Sequence, residues 1–309
     1  MSTDPLVGGL RIGHAHDLAA RTGCTVLLGP FRAAVDVRGM ATGSRELYAL
    51  SVLHVAPAAD AILLSGGSAF GLAAADGVSE WLEEHGHGFF TPYGRVPIVA
   101  AAVLFDLGVG SPAVRPGPAM GRAACEAASA EAPAEGRVGA GTGATVGKVL
   151  GPAAAMPGGF GCATSRFGEW TLTAVAAVNA LGDVRAADGR IIAGARGADG
   201  AFVDSAVWLR KRGAAAADLP EAGTSTTLVA VVTDAPASRP ELEALARMAA
   251  TALARRITPV HTPIDGDVTF AASTSTEAAG IGAVALLGLG SAATDALERA
   301  LERAVTEAA

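Results

Sequence analysis

Leu228-Val229-Ala230-Val231-Val232-Thr233 is an unbroken apolar, β-favouring run, and it reads as a strand buried in the body of a fold. Directly before it stands Ala222-Gly223-Thr224-Ser225-Thr226-Thr227, with four hydroxyl residues in succession. Part of this is ordinary strand composition, because Thr and Val both suit the pleat. The rest is unusual, since buried hydroxyls need partners and polar turns usually carry Asn, Asp or Pro. A hydroxyl at the first position of a central strand is where a chain that cuts itself places its nucleophile. Cutting before Thr226 leaves a Thr with a free α-amino group, so that nucleophile and base share one residue.

Around this strand the chain alternates short β-like runs with amphipathic helices, across Gly-rich turns, as an α/β protein does. Thr25–Leu28, Ala61–Leu64, Thr171–Val178 and Arg190–Ala193 read as strands, and Val268 and Phe270 share one face of another. Ser44 reads as the cap of a helix through Leu47, Leu50 and Leu53. Ser68 reads as the cap of a helix with Leu72, Val78, Trp81 and Leu82 inward. Pro116–Ala130 reads as helical. Ser238-x-x-Glu241 is a capping box ahead of Leu242, Leu245, Ala249 and Leu253, and the last helix aligns Leu297, Leu301 and Val305. No repeat is present. Glu126–Gly136 and Gly213–Glu221 read as surface segments, and an exposed Gly213–Gly223 lets a cut end move away from Thr226.

Half of the 309 residues are apolar and 17% are charged, with 40 Gly, which excludes a disordered chain. A net charge of −7 and the lack of a basic run argue against nucleic acid and anionic membranes as partners. The longest apolar stretches, Val96–Phe105 and Ala278–Leu289, are shorter than a membrane span. Cys24, Cys125 and Cys162 lie far apart and read as free thiols in a reducing compartment. Met1–Pro5 has neither the basic region nor the apolar core of a signal peptide, so the expected location is cytoplasmic.

Gly139–Lys148 has the flavour of a phosphate loop but not its spacing: Thr142 stands where the first Gly belongs, and Val149 follows Lys148. Two readings stay open, a glycine-rich turn with a solvated Lys, or a Lys pinned in a site by close backbone approach. Gly66, Gly67, Ser68 and Ala69 join a buried strand to a helix, and their amides suit an oxyanion or carboxylate, or simply a tight turn. Asp265-Gly266-Asp267 sets two acids around a Gly. With only His261 nearby they are too few for a metal site, so no metal and no cofactor is expected. They are turn residues, or they orient a hydroxyl nucleophile and position its proton. His14 and His16 share a strand face without a third ligand and read as structural, while His85 and His87 read as a solvated helix end. No Gly-x-Ser-x-Gly elbow, Cys/His pairing or dinucleotide fingerprint is present.

Taken together, a series of segments resembles the self-processing aminopeptidase–amidase family that includes L-aminopeptidase D-amidase/D-esterase, β-peptidyl aminopeptidases and nylon-oligomer hydrolase. In chain order they are Arg11–His14, Thr22–Val26, Arg38-Gly39 with Gly43–Glu46, Gly66–Leu72, Val96–Val99 with Phe105–Leu107, Gly139–Lys148, Val178–Asp183, and Ser225–Thr227 with Thr233–Ala235. The resemblance implies a four-layer αββα sandwich of the N-terminal-nucleophile type. It implies one catalytic domain over residues 1–309, cut into a large chain 1–225 and a small chain 226–309 that stay together, usually as a tetramer of such pairs. It places Thr226 as nucleophile, Lys148 and Asn179 as active-site residues, and Asp265 and Asp267 as the acidic pair of the nylon-hydrolase branch. One departure is Ser225, where relatives often carry Asn or Gly before the cut. The spacing to the Asp-Gly-Asp turn favours Thr226 over Thr224, Ser225 and Thr227.

On this reading Thr226 Oγ attacks the Ser225 carbonyl and an N→O acyl shift gives an ester that water releases. In turnover the freed α-amine, held by Asp265 or Asp267, shuttles the proton. Lys148 favours the neutral amine, and Asn179 donates to the oxyanion with help from Gly66–Ala69. The substrate is a small peptide or amide. Two other functions are compatible with the sequence, an ornithine-acetyltransferase-like acyl transferase and a non-catalytic binder of small amides.

Overall fold

The computed structural model describes residues 5–213 and 224–309. Among them nine strands are linked by hydrogen bonds in the order Gly159–Phe167, Trp170–Asn179, Thr226–Thr233, Val268–Ser273, Thr22–Val37, Ala59–Ser65, Val99–Val103 and Gly43–Arg45, with Arg11–Asp17 also on Thr22–Val37. The path is two sheets joined through one 16-residue strand. Its first half, to Leu28, pairs with Arg11–Asp17 and Ala59–Ser65, and its second half, from Arg32, pairs with Val268–Ser273. The register shifts between Leu28 and Phe31, where Gly29-Pro30 interrupts the ladder because Pro has no N–H to donate.

The two sheets face each other. Leu27, Ile62, Leu64 and Ala102 from one meet Phe160, Val175, Leu228, Ala230 and Phe270 from the other in a common core. On the outer face of the first sheet, Val26, Leu63 and Ala101 pack on Val78, Trp81 and Leu82 of the helix Ala74–Glu84 and on Ala124 and Cys125 of the helix Pro118–Glu126. On the outer face of the second, Ala174, Val229, Val231 and Ala271 pack on Leu242 and Leu245 of Arg239–Ala249 and on Leu297 and Leu301 of Gly282–Thr306. The layers therefore run helix, sheet, sheet, helix. Side chains alternate across a pleat, so Leu228, Ala230 and Val232 enter the sheet–sheet core while Val229 and Val231 meet the helices. That is why this strand is apolar without interruption.

The abundance of small residues has the same origin. A Cβ at Gly161 would lie 2.1 Å from the Ala300 carbonyl oxygen, so the last helix approaches the sheet as closely as backbone allows.

Several local expectations hold. Ser238 N and Oγ both donate to Glu241 Oε2 at 2.8 Å, and Glu241 Oε1 accepts the Ile281 and Gly282 amides, so one carboxylate serves two helix starts. Others are corrected. Ser44 caps no helix but lies in a strand paired with Val99–Val103, and only a short 3₁₀ turn, Leu47–Leu50, follows it. Glu46 turns into the left-handed region there, and its carboxylate accepts the Val99 amide at 3.0 Å. Ser68 is no cap either. It has φ 53° and opens a 3₁₀ segment, Ser68–Ala73, ahead of the α-helix. Pro116–Ala130 contracts to Pro118–Glu126. The lead segment Gly213–Gly223, beyond Gly213 itself, lies outside the described residues.

His14 and His16 hold the fold. His14 Nδ1 meets Thr25 Oγ1 at 2.9 Å, burial pulling its pKa down to about 4, and His16 Nδ1 accepts the Gly139 amide at 3.3 Å. His85 stacks on Trp81 at the end of its helix. Among the described residues no group of three or more His, Cys, Asp or Glu is placed to hold a metal ion, and no helix is long and apolar enough to cross a membrane.

Candidate active site

Sheet register assembles the site. In the antiparallel pair, Asn179 lies opposite Thr226. The parallel ladder from Thr226–Thr233 to Val268–Ser273 is extended backwards by a bridge between Ser225 and Asp265. The last residue of one strand, the first of the next and the turn into a third thus meet at one end of the second sheet.

Thr226 is 2% exposed, and its Oγ1 donates to its neighbour's carbonyl, Ser225 O, at 2.6 Å. The same oxygen accepts the Gly266 amide at 2.9 Å. Gly266 can approach because it lacks a side chain: a Cβ there would lie 2.8 Å from Thr226 Oγ1 and 2.9 Å from Ala41 O. The flanking carboxylates shape the turn and its neighbours. Asp267 Oδ1 accepts the Thr227 amide at 2.7 Å, and its Oδ2 meets His261 Nδ1 at 2.9 Å. Asp265 Oδ2 accepts the Thr262 amide at 2.8 Å. Burial, reinforced by the charge of Asp267, pushes the Asp265 carboxyl above the usual carboxylate range.

Lys148 is buried, so it is not the solvated Lys of the first reading. Its amide donates to Leu181 O at 2.9 Å and that of Gly147 to Gly182 O at 3.0 Å, seating the segment on the turn after Asn179. Its Nζ donates to Asn179 O, Asn179 Oδ1 and Thr224 O at 3.0, 2.8 and 2.9 Å. Burial pulls the amine down to about 7, against the attraction of Asp265 and Asp106. Asn179 Oδ1 also accepts the Thr145 amide, and its Nδ2 donates to Phe105 O at 3.0 Å and more distantly to Thr224 O at 3.4 Å. Lys148 and Asn179 thus grip the backbone just before the Ser225–Thr226 bond.

The Gly66–Ala69 turn is placed differently. The Gly66 amide donates to Gly23 O, that of Gly67 to Asp106 Oδ1, and that of Ser68 to Leu104 O. Ala69 is exposed. These three amides are occupied within the fold, so the turn cradles an internal carboxylate rather than a reacting oxygen. Asp106, which also accepts Thr22 Oγ1 at 2.8 Å, and the Gly266 amide are the site features that sequence reasoning missed. Phe105-Asp106-Leu107 was visible as a motif, whereas the direction of a backbone amide has no sequence signal.

Among the described residues, Ser225 Oγ, Thr227 Oγ1, Thr262 Oγ1 and His261 Nε2 are buried without hydrogen-bond partners. Orphaned polar atoms are rare in native interiors, and these are four of the seven found among the described residues. Lys148 and Thr224 line a cavity of ≈ 290 Å³ together with Phe105, Val109, Thr145 and Pro152.

A helix–sheet–sheet–helix sandwich is the architecture of the N-terminal-nucleophile hydrolases, and comparison with known proteins agrees. The structure superposes on L-aminopeptidase D-Ala-esterase/amidase from Ochrobactrum anthropi, described as a variant of the Ntn hydrolase fold, with TM-score 0.72, 19% identity and coverage of 98% of this chain and 85% of that one. Residues 3–309 match peptidase family S58. An uncharacterized aminopeptidase of Mycobacterium tuberculosis is 39% identical across 98% of this chain and 93% of its own length. The 6-aminohexanoate-oligomer endohydrolase of Kocuria sp. is 35% identical across 86% and 73%. The chain belongs to peptidase family S58, a hydrolase family, and shares the fold of that Ntn hydrolase variant.

Proposed function

We propose that this chain cuts itself between Ser225 and Thr226, and that Thr226 then hydrolyses small peptides or amides through an acyl-enzyme. The observation that carries this reading is the double hydrogen bond on Ser225 O, from the Thr226 hydroxyl and the Gly266 amide. In the precursor Thr226 Oγ1 attacks the Ser225 carbonyl carbon. Negative charge develops on the oxygen that Gly266 N–H already holds. The C–N bond breaks, the nitrogen of Thr226 takes a proton, and the resulting ester is hydrolysed to residues 1–225 and 226–309. The two pieces remain one sandwich, because the small chain carries a central strand and the helix that covers it.

The uncut Thr226 has no free amine, so another group takes the hydroxyl proton. Lys148 is suited to this: burial brings its amine to about 7, and its neutral form, having given up one of the three hydrogen bonds that Nζ donates, has a lone pair to accept the proton. The neutral form is the base, so processing accelerates with rising pH. With a pKa of about 7, the neutral fraction climbs roughly tenfold between pH 6 and pH 8. Timed gels of freshly refolded precursor check this, and a rate that falls over that interval contradicts it.

After cleavage the new α-amine, with an unperturbed pKa of about 8, becomes the base for turnover. Departure of Thr224 O releases donors on Lys148 Nζ and Asn179 Nδ2 together, and these meet the acyl oxygen of a substrate. Asn179→Ala removes one of them and is expected to lower kcat by about 10²–10³. Unchanged kcat in a folded, processed variant removes Asn179 from this role. The acidic pair Asp265 and Asp267 supports a preference for ω-amide oligomers over α-peptides. A panel of p-nitroanilides and 6-aminohexanoate oligomers, offered to the processed protein, tests the hydrolase and ranks its substrates. Exposed side chains such as Phe90, Tyr93, Leu53 and Val55 support assembly of the cut pairs into an oligomer, the tetramer being the form that size-exclusion light scattering would find. Three buried free thiols accord with a cytoplasmic setting.

A further inference from the structure

His261 has a strained backbone and is turned onto the acidic pair. Its φ is 56°, in the left-handed region that side chains other than Gly seldom enter. Such strain persists only where surrounding contacts impose it. The contacts here are with Asp267. The His261 amide donates to Asp267 Oδ2 at 3.2 Å, and Nδ1 of the ring meets the same oxygen at 2.9 Å. An ionised carboxylate only accepts, so Nδ1 carries the proton of that bond. With the Thr227 amide on Oδ1 at 2.7 Å, three N–H donors converge on Asp267. Asp265 receives the Thr262 amide at 2.8 Å, and the Thr262 hydroxyl beside it is without a hydrogen-bond partner.

Two buried carboxylates on one turn compete for charge, and donors to the charged form decide which keeps it. Burial and the charge of Asp267 both act against a charge on Asp265. We propose that His261 is a positioning residue for the chemistry at Thr226: by donating to Asp267 it keeps the negative charge of the pair there and leaves the proton on Asp265.

The consequence falls on Lys148. Its amine is attracted by Asp265 and by Asp106. A charge at Asp265 holds the amine's proton, whereas a charge kept on Asp267 lets that proton go. The next charged groups, on the strand Thr22–Val37 and just after it, are Asp36 and Arg38. Arg38 meets Asp267 through the backbone, its amide donating to Asp267 O at 3.1 Å, and its guanidinium is turned to Asp36 at 2.6 Å. The inference deepens the processing reading and rests on Lys148 as the base of that step.

The test compares His261→Asn with His261→Gly. Both residues suit a left-handed backbone, and only Asn offers a side-chain N–H in place of Nδ1. Self-processing of refolded precursor is timed between about pH 6 and pH 9. The Asn variant is expected to keep the wild-type profile. In the Gly variant the rise is expected to move up by about one pH unit, a loss of about tenfold near neutrality that vanishes at the alkaline end. A Gly variant slowed by one factor at every pH has lost only structure, and that overturns the proposal. So does a Gly profile that coincides with the wild type, or an Asn profile displaced as far as the Gly one.

Carbon NMR of the aspartate carboxyls in the uncut Thr226→Ala chain judges the pair without any processing. At neutral pH Asp267 is expected to show the shift of a carboxylate and Asp265 that of a carboxylic acid, and adding His261→Gly is expected to draw the two together. The reverse assignment, or two carboxylates, overturns the proposal even where His261→Gly does not fold. A wild-type processing rate that does not rise with pH removes Lys148 as the base, and the carbon shifts then decide the role of His261 alone.

Discussion

Thr226→Ala yields a chain that stays in one piece and hydrolyses amides at least about 10³-fold more slowly than the wild type. The size of the effect follows from the double use of one residue. Before the cut, Oγ1 is the group turned onto Ser225 O at 2.6 Å; after it, the same residue supplies both nucleophile and α-amine. Alanine removes the first and thereby never exposes the second. The fold should survive, because residue 226 keeps its ladder position opposite Asn179, and its hydroxyl makes only the bond to Ser225. A melting temperature close to that of the wild type, with a single band on a denaturing gel, is the expected pair of results. Two fragments from this variant would place the nucleophile at Thr224, Ser225 or Thr227.

Gly266→Ala blocks maturation without touching a reactive group. Its backbone lies where an L side chain is allowed, so only space is at issue. The added Cβ would stand 2.8 Å from Thr226 Oγ1 and 2.9 Å from Ala41 O. Ala41 is held in place, its amide donating to Asp265 O at 2.9 Å. The freer partner is the hydroxyl, which rotates off Ser225 O, while the amide at 266 moves away from the same oxygen. Loss of one such donor lowers a rate by about 10²–10³. Processing followed over hours by gel should show mostly full-length chain where the wild type is cut. Wild-type processing in a folded Gly266→Ala variant would show that this amide does not hold the developing charge.

What could be read from the sequence was local, and what was missed depended on remote partners. The strand Thr226–Thr233 and the helix behind Ser238 declare themselves through their own residues, and both stand as expected. Ser44 and Ser68 look like caps because a cap is a local signal, but each is claimed by a distant strand: Ser44 pairs with Ala102, and the Ser68 amide bonds Leu104 O. The Gly66–Ser68 amides were right in type, since one of them does hold a carboxylate; that it is Asp106, some 39 residues on, is a fact of tertiary packing. Lys148, Asn179, Asp265 and Asp267 were expected as a set from resemblance; strand register brings Asn179 and Asp265 to the Ser225–Thr226 bond, and Lys148 reaches it through its bonds to Asn179 and Thr224. The amide of Gly266 was not legible, because a sequence states that a glycine is present and not which way its N–H points.

Intact-mass spectrometry of freshly purified wild-type protein tests the central claim most directly. The account predicts two species, residues 1–225 and 226–309, the second beginning with an unblocked threonine. A single species of 309 residues that nonetheless hydrolyses amides at full rate would contradict it.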